Sequence, residues 1–287
     1  MESMQVRRII FALVALSALC PNVFYAQCSD AGVCVVGSRH AWVGHRISAG
    51  YAFGKSSRTD DLTIHSFQVE GDIQFFYDSR MTVRFPWSRI SGPLGYASGI
   101  GDLTLLWSQT VWKVNADQVS VQIGGKFATG NANSANLPQA YQPGLGTNDF
   151  LFGVSYGTEP WLFAVGYQLS RGRSNNSITR LQRGDDLLAR IGFTTHIDDL
   201  IVGLELLTIK RLQESSVLNP VNAAGGSFIA VSGSDQFQAN FLARVSLPLS
   251  EPYSLAGLAA VPLRSRSVNV DGLTRSITLS VGIQYAL

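Results

Sequence analysis

From Gly44 to Leu287 large apolar residues alternate with small or polar ones at a period of two, the period of a β-strand with two unlike faces. In residues 148–170, NDFLFGVSYGTEPWLFAVGYQLS, one face carries Phe150, Phe152, Val154 and Tyr156. After the tight GTEP it carries Trp161, Phe163, Val165, Tyr167 and Leu169, and the positions between are small: Gly153, Ser155, Ala164, Gly166. The same alternation predicts strands over 44–54, 63–77, 81–90, 102–112, 118–129, 147–156, 161–170, 185–196, 200–211, 235–249, 253–263 and 274–287. Most exceed the ~5–6 residues usual in globular sheets and suit tilted strands that cross a bilayer.

One strand of this kind also fits a soluble sandwich; the whole set does not. Apolar faces such as Phe67, Val69, Ile73, Phe75 and Val119, Val121, Ile123, Phe127 recur twelve times with no helix pattern to cover them. The opposite faces (Gln68, Glu70, Asp72, Gln74; Ser120, Gln122, Gly124, Lys126) hold few of the Lys and Glu that soluble proteins show to water. Short connections near 78–80, 113–117, 157–160, 197–199 and 250–252 alternate with long ones near 55–62, 91–101, 130–146, 171–184, 212–234 and 264–273. Tight periplasmic turns and long extracellular loops are the pattern of an outer-membrane barrel. The expected fold is therefore all-β, a transmembrane antiparallel outer-membrane β-barrel of about twelve strands over 44–287, with ten or fourteen as alternative counts. Closure is required because lipid leaves an open sheet edge unsatisfied. The last strand, RSITLSVGIQYAL, resembles the terminal signal read by the barrel assembly machinery, although Leu287 stands where Phe is usual.

Composition agrees. Charged residues make up 15% of the 287-residue chain and Gly contributes 28 residues, against about 25% charged in soluble domains. The stretch IIFALVALSALC (9–20) is too short to span a bilayer and follows Arg7 and Arg8. It reads as a signal peptide over 1–26, cleaved after Ala26. A lipoprotein reading at Cys20 is poorer because Leu19 beside it is large. The formal charge of +2 gives no argument for nucleic acid. Cys28 and Cys34 form an even pair in an exported chain, which predicts a disulfide closing CSDAGVC within a short periplasmic segment, 27–43. Two Cys without nearby His at ligand spacing are too few for a metal site, and no cofactor motif is present. Fully extended, Gln27–Ala41 reaches roughly 50 Å; it either tucks into the periplasmic mouth or meets a periplasmic partner.

Three short stretches, GIGDLTL (99–105), GKFATGN (125–131) and GLGTNDF (144–150), resemble the outer-membrane transporter family of meta-pathway phenol degradation proteins, distant relatives of the fatty-acid and aromatic-hydrocarbon channels. The family pattern is a Gly-x-Gly-Asp turn entering a strand, a Lys-x-Pro-Thr-Gly strand end and a Gly-containing turn before Asp; Ala128 stands where the family has Pro. The resemblance implies passage of small molecules, apolar or aromatic ones among them. The residues also have structural uses. Gly99 and Gly101 suit a turn or bulge at the rim, and Asp102 and Asp149 suit capping of turn N–H groups.

The inward charges are the candidate chemistry. If the 78–80 hairpin is symmetric, Arg84 lies diagonally near Asp72, with Glu70 on the same face. Lys126 falls near Asp102, Arg190 opposite Glu205, and Arg244 on the next strand within reach of Glu205. These pairs either stiffen the interior or form a charged constriction. The small wall at Gly153, Ser155, Ala164 and Gly166 offers a thin, uncharged path away from them. In the loop 213–235 the apolar FIAV either folds into the mouth or packs on a neighbour. Arg171, Arg173, Arg180 and Arg183 suit lipopolysaccharide phosphates or anionic solutes. An enzyme is not expected: only His65, near Asp60, Asp61 and Ser66, sits where a hydrolase site could form. The reading is a channel for small solutes in lipid and lipopolysaccharide, with a structural or partner-binding barrel of blocked lumen as the alternative.

Overall fold

The computed structural model describes residues 36–37, 44–56, 60–76 and 78–287. The 1–26 segment and the Cys28–Cys34 pair lie outside these residues. The strands are β1 (Arg46–Lys55), β2 (Thr63–Phe76), β3 (Ser79–Gly92), β4 (Gly95–Ile100), β5 (Leu103–Val114), β6 (Asp117–Phe127), β7 (Asn148–Thr158) and β8 (Trp161–Arg171). They continue as β9 (Asp186–Ile197), β10 (Leu200–Arg211), β11 (Ser216–Leu218), β12 (Phe228–Ala230), β13 (Phe237–Ser250), β14 (Tyr253–Arg264) and β15 (Ile277–Ala286). Each barrel strand pairs antiparallel with its sequence neighbours, and β1 closes the ring on β15 from Arg46↔Ala286 to Lys55↔Ile277. The result is a closed barrel of twelve long strands, each matching one apolar alternation in the sequence.

The alternation sets which face meets lipid. Phe150, Phe152, Val154 and Tyr156 are exposed, whereas Leu151 between them is fully buried. Asp72, Gln168, Arg190 and Asn240 are buried inside. Apolar side chains outside and polar ones inside suit a sheet whose outer solvent is hydrocarbon. Trp161 meets Phe193 edge-on at 5.1 Å, Tyr156 stacks on Phe163 at 6.4 Å, and Tyr253 leans on Tyr285 at 5.1 Å. These rings sit beside short turns, the level of the inner aromatic girdle.

Connection 91–101 differs from the sequence expectation. It forms a hairpin, β4 folding back on the end of β3 with Gly92 opposite Gly95. Below this, β3 pairs with β5 through Ser79–Arg84 instead. The switch falls at Pro86, which has no N–H for the ladder and whose carbonyl accepts Gly101 N–H at 2.8 Å. Abundant Gly, Pro and Ser in SGPLGYASGIG hide this six-residue strand in the sequence.

Candidate functional site

Loop 128–147 crosses the extracellular mouth. At one end Leu137 and Tyr141 pack on Leu62, Ile64, Ile90 and Ala97, on the β2–β4 side. At the other Leu145 joins Leu188, Leu207, Leu242 and Ala260, on the far wall, together with Leu273 of loop 265–276. Its course is held by polar side chains. Asp102 accepts the backbone N–H of Gly130 at 3.1 Å and of Leu145 at 2.7 Å, and lies 3.9 Å from Lys126. Gln139 Nε2 donates to the Gly144 carbonyl at 2.9 Å, and Asn176 Nδ2 donates to the carbonyls of Ala132 and Leu137. Gly272, at φ +72°, passes so close to Ala140 that a Cβ would strike its backbone.

Six buried charges lock the layer. Arg183 reaches Asp149 at 3.2 Å, Asp186 at 2.7 Å and Asp271 at 3.0 Å. Arg211 pairs with Asp186 at 3.1 Å and Asp271 at 2.8 Å, and Arg266 reaches Asp186 at 3.2 Å. Three guanidiniums thus face three carboxylates, joining loops 172–185 and 265–276 to β7, β9 and β10. Beside Lys126, Asp271 and Arg275 the packing leaves a cavity of ≈ 20 Å³, room for about one water.

The loop charges respond to this burial. For Asp271, burial raises the carboxyl pKa, but Arg211, Arg183 and Arg266 outweigh it and hold the group well below the ordinary range. For Asp102, burial is the largest influence and prevails, so the carboxyl sits above its ordinary value despite Lys126 and the two N–H donors. Burial pushes Arg275 down to about 10, so it stays charged at neutral pH. The two carboxylates therefore respond oppositely to acid. A depressed carboxyl stabilises the closed loops above its ordinary pKa of about 3.9 and loses that contribution as pH falls through its lower folded value. A raised carboxyl contributes most when protonated and loses this as pH rises through its folded value. Mild acid is expected to tighten loop 128–147, while loop 265–276 is released only below about pH 4. Limited proteolysis of the two loops across pH checks this, and Asp102→Asn should remove the mild-acid effect alone.

At mid-height the inward charges form a waist. Arg84 pairs with Glu70 at 2.9 Å through Nε, not with Asp72 as the sequence suggested. The register explains the correction: Glu70 stands directly across from Arg84, and Asp72 across from Arg46 and Thr82. Asp72 accordingly takes the Arg46 guanidinium and, at 2.6 Å, the Thr82 hydroxyl. Opposite, Glu205 lies 3.7 Å from Arg190 and 2.8 Å from Arg244, as expected.

The small wall holds the largest surprise. Val36 is fully buried and clusters with Leu106 and Leu151. A Cβ on Gly153 or Gly166 would collide with its side chain, and one on Gly37 would strike Ala164. Gly37 N–H donates to Gln122 Oε1 at 2.6 Å. Of the wall read from sequence as a solute path (Gly153, Ser155, Ala164, Gly166), the space beside Gly153, Ala164 and Gly166 is thus taken by the chain's own Val36 and Gly37. That segment's glycine docking wall is legible in sequence; its occupant is not, because Val36 lies in a stretch with no strand period.

Other expectations change as well. Residues 228–230 of FIAV form β12, an exposed strand paired with β11 outside the mouth, and Arg173 covers Phe228 at 3.4 Å. Loops 128–147 and 265–276 fill the mouth instead, because their Leu and Tyr meet apolar lumen walls. Arg183 belongs to the buried lock and not to the lipid surface; Arg171 and Arg180 remain exposed. Asp102 caps backbone N–H groups as expected, those of Gly130 and Leu145, whereas Asp149 takes the Arg183 guanidinium and the Gln168 amide. His65 faces outward between Tyr51 and Phe53, with Tyr51 Oη 2.6 Å from Nδ1, while Ser66 points inward to Ser88. Asp60 binds Asn269 and Asp61 lies near Lys55, so the set is not brought together.

No known family model matches the sequence, and no curated protein matches it. The fold is similar to solved outer-membrane channels. An outer membrane channel from Pseudomonas putida F1 superposes with a TM-score of 0.65 at 16% identity, covering 86% of this chain and 97% of that one. The NanC porin gives 0.50 at 9% identity, covering 85% and 100%. The KdgM porin in complex with disordered oligogalacturonate gives 0.50 at 10%, covering 84% and 99%. The likeness and the lipid-facing apolar belt place this chain among the β-barrels of the bacterial outer membrane.

Proposed function

We infer that the chain is a gated outer-membrane channel for small molecules. The observation that carries this reading is Arg244. It projects inward at mid-height, yet 41% of its side chain is exposed, so the lumen beneath the mouth holds water. A barrel filled for rigidity alone would bury this guanidinium. Closure resides instead in two removable layers, the locked loops above and Val36–Gly37 below. The family resemblance favours apolar or aromatic solutes. Export behind 1–26, a Cys28–Cys34 loop just ahead of Val36, and lipopolysaccharide and the assembly machinery as partners complete the proposal. The second reading, a structural or partner-binding barrel, is favoured by the same two layers if neither ever opens. Purified protein in liposomes separates the two. Swelling in small solutes is expected, and its absence, including after the mouth is unlocked, would sink the channel reading.

A further inference from the structure

We propose that the solute path runs along the arginine-bearing walls and selects small organic carboxylates. This rests on the channel reading above and adds the substrate class. Val36 and Gly37 fill the neutral side of the mid-lumen, against Gly153, Gly166 and Ala164. A solute passing mid-height is thereby pushed toward the remaining walls, β1–β3 and β9–β13, where the charges stand, Arg190 directly across from Ala164.

Below the locked mouth, among the described residues, the inward-facing arginines are Arg46, Arg80, Arg84, Arg190 and Arg244, against the carboxylates Glu70, Asp72 and Glu205. Among the described residues, five guanidiniums thus stand with three carboxylates between the mouth and the periplasmic turns. The buried members neutralise one another, while Arg244 and Arg84 keep 41% and 23% of their side chains exposed. Their partners Glu205 and Glu70 keep only 9% and 14%. A solute thus meets guanidinium first. Rings of basic side chains select anions, a planar guanidinium matches a carboxylate in two parallel hydrogen bonds, and it also stacks on aromatic faces. An aromatic carboxylate fits both features, which reconciles the charged waist with the aromatic solutes implied by the resemblance.

The test is the reversal potential of native full-length protein in planar bilayers across a potassium chloride gradient, repeated with potassium benzoate. Low ionic strength is needed because salt screens the waist. Both salts are expected to give potentials of the sign for anion preference. Arg244→Gln should shift the potential toward zero and Glu70→Gln should shift it further toward anions, each variant being checked for the heat-modifiable mobility of a folded barrel. Cation preference, or none, in the native openings overturns the inference and leaves the channel reading standing. Chloride passage with benzoate exclusion overturns the carboxylate assignment. Absence of any opening, in the native protein and in Asp271→Asn alike, removes both readings together.

Discussion

Asp271→Asn is expected to raise the open probability of the channel by roughly 10²-fold or more. Asp271 receives Arg183 Nε and Arg211 Nη2 on one oxygen, in a site with almost no access to water. Removing one partner of a buried ion pair costs about 3–5 kcal/mol, because the remaining charges stay desolvated, and each 1.4 kcal/mol is a factor of ten in population. The cost falls on the closed loops and not on the barrel, since residue 271 lies outside every strand. Long openings and proteolytic cleavage within 265–276 should appear together, with the folded barrel's gel mobility retained. Replacing all six charges together with apolar residues should be milder, as buried networks are often dispensable when removed whole. A native-like open probability in Asp271→Asn would show that the six charges do not hold the gate.

Val36→Asp should act on a different quantity. Val36 is in full contact with Leu106 and Leu151, over the two glycines of β7 and β8. An ionised carboxylate there has no compensating partner among these groups, and burying it costs several kcal/mol. The segment is expected to leave the wall, so unitary conductance rises while the open probability set by the mouth stays near native. Gly153→Val should do the same by filling the seat directly. The two sites share no side chain, so their effects should combine independently. An unchanged unitary conductance in both variants would mean that the segment does not narrow the path.

What the sequence discloses here follows from period and register. The two-residue alternation depends only on lipid outside and polar lumen within, so all twelve barrel strands were legible from residues such as Phe150–Tyr156. The pairs Lys126–Asp102 and Arg190–Glu205 were legible too, because short turns fix which residues stand opposite; Arg244 was placed near Glu205 only by the adjacency of successive strands across the long loop 212–234. Arg84 was misassigned because the neighbours on both sides of β2 decide its partner, and Asp72 is claimed from across by Arg46. The lock is not legible in the sequence for another reason. Arg183, Arg266 and Asp271 lie in irregular loops, where spacing says nothing about which loop folds inward. The apolar FIAV was read as folding into the mouth or packing on a neighbour, but pairing of β11 with β12 satisfies its backbone outside the mouth. Leu145 and Leu273 were the truer signals, single leucines whose partners sit on strands far away in sequence.

Single-channel recording of the Val36→Asp, Asp271→Asn double variant tests the central claim most directly, that a water-filled lumen is closed at two independent levels. The account predicts sustained openings of larger unitary conductance than native, with the open probability of Asp271→Asn. A correctly folded double variant that stays silent would contradict it, and the barrel would then be structural.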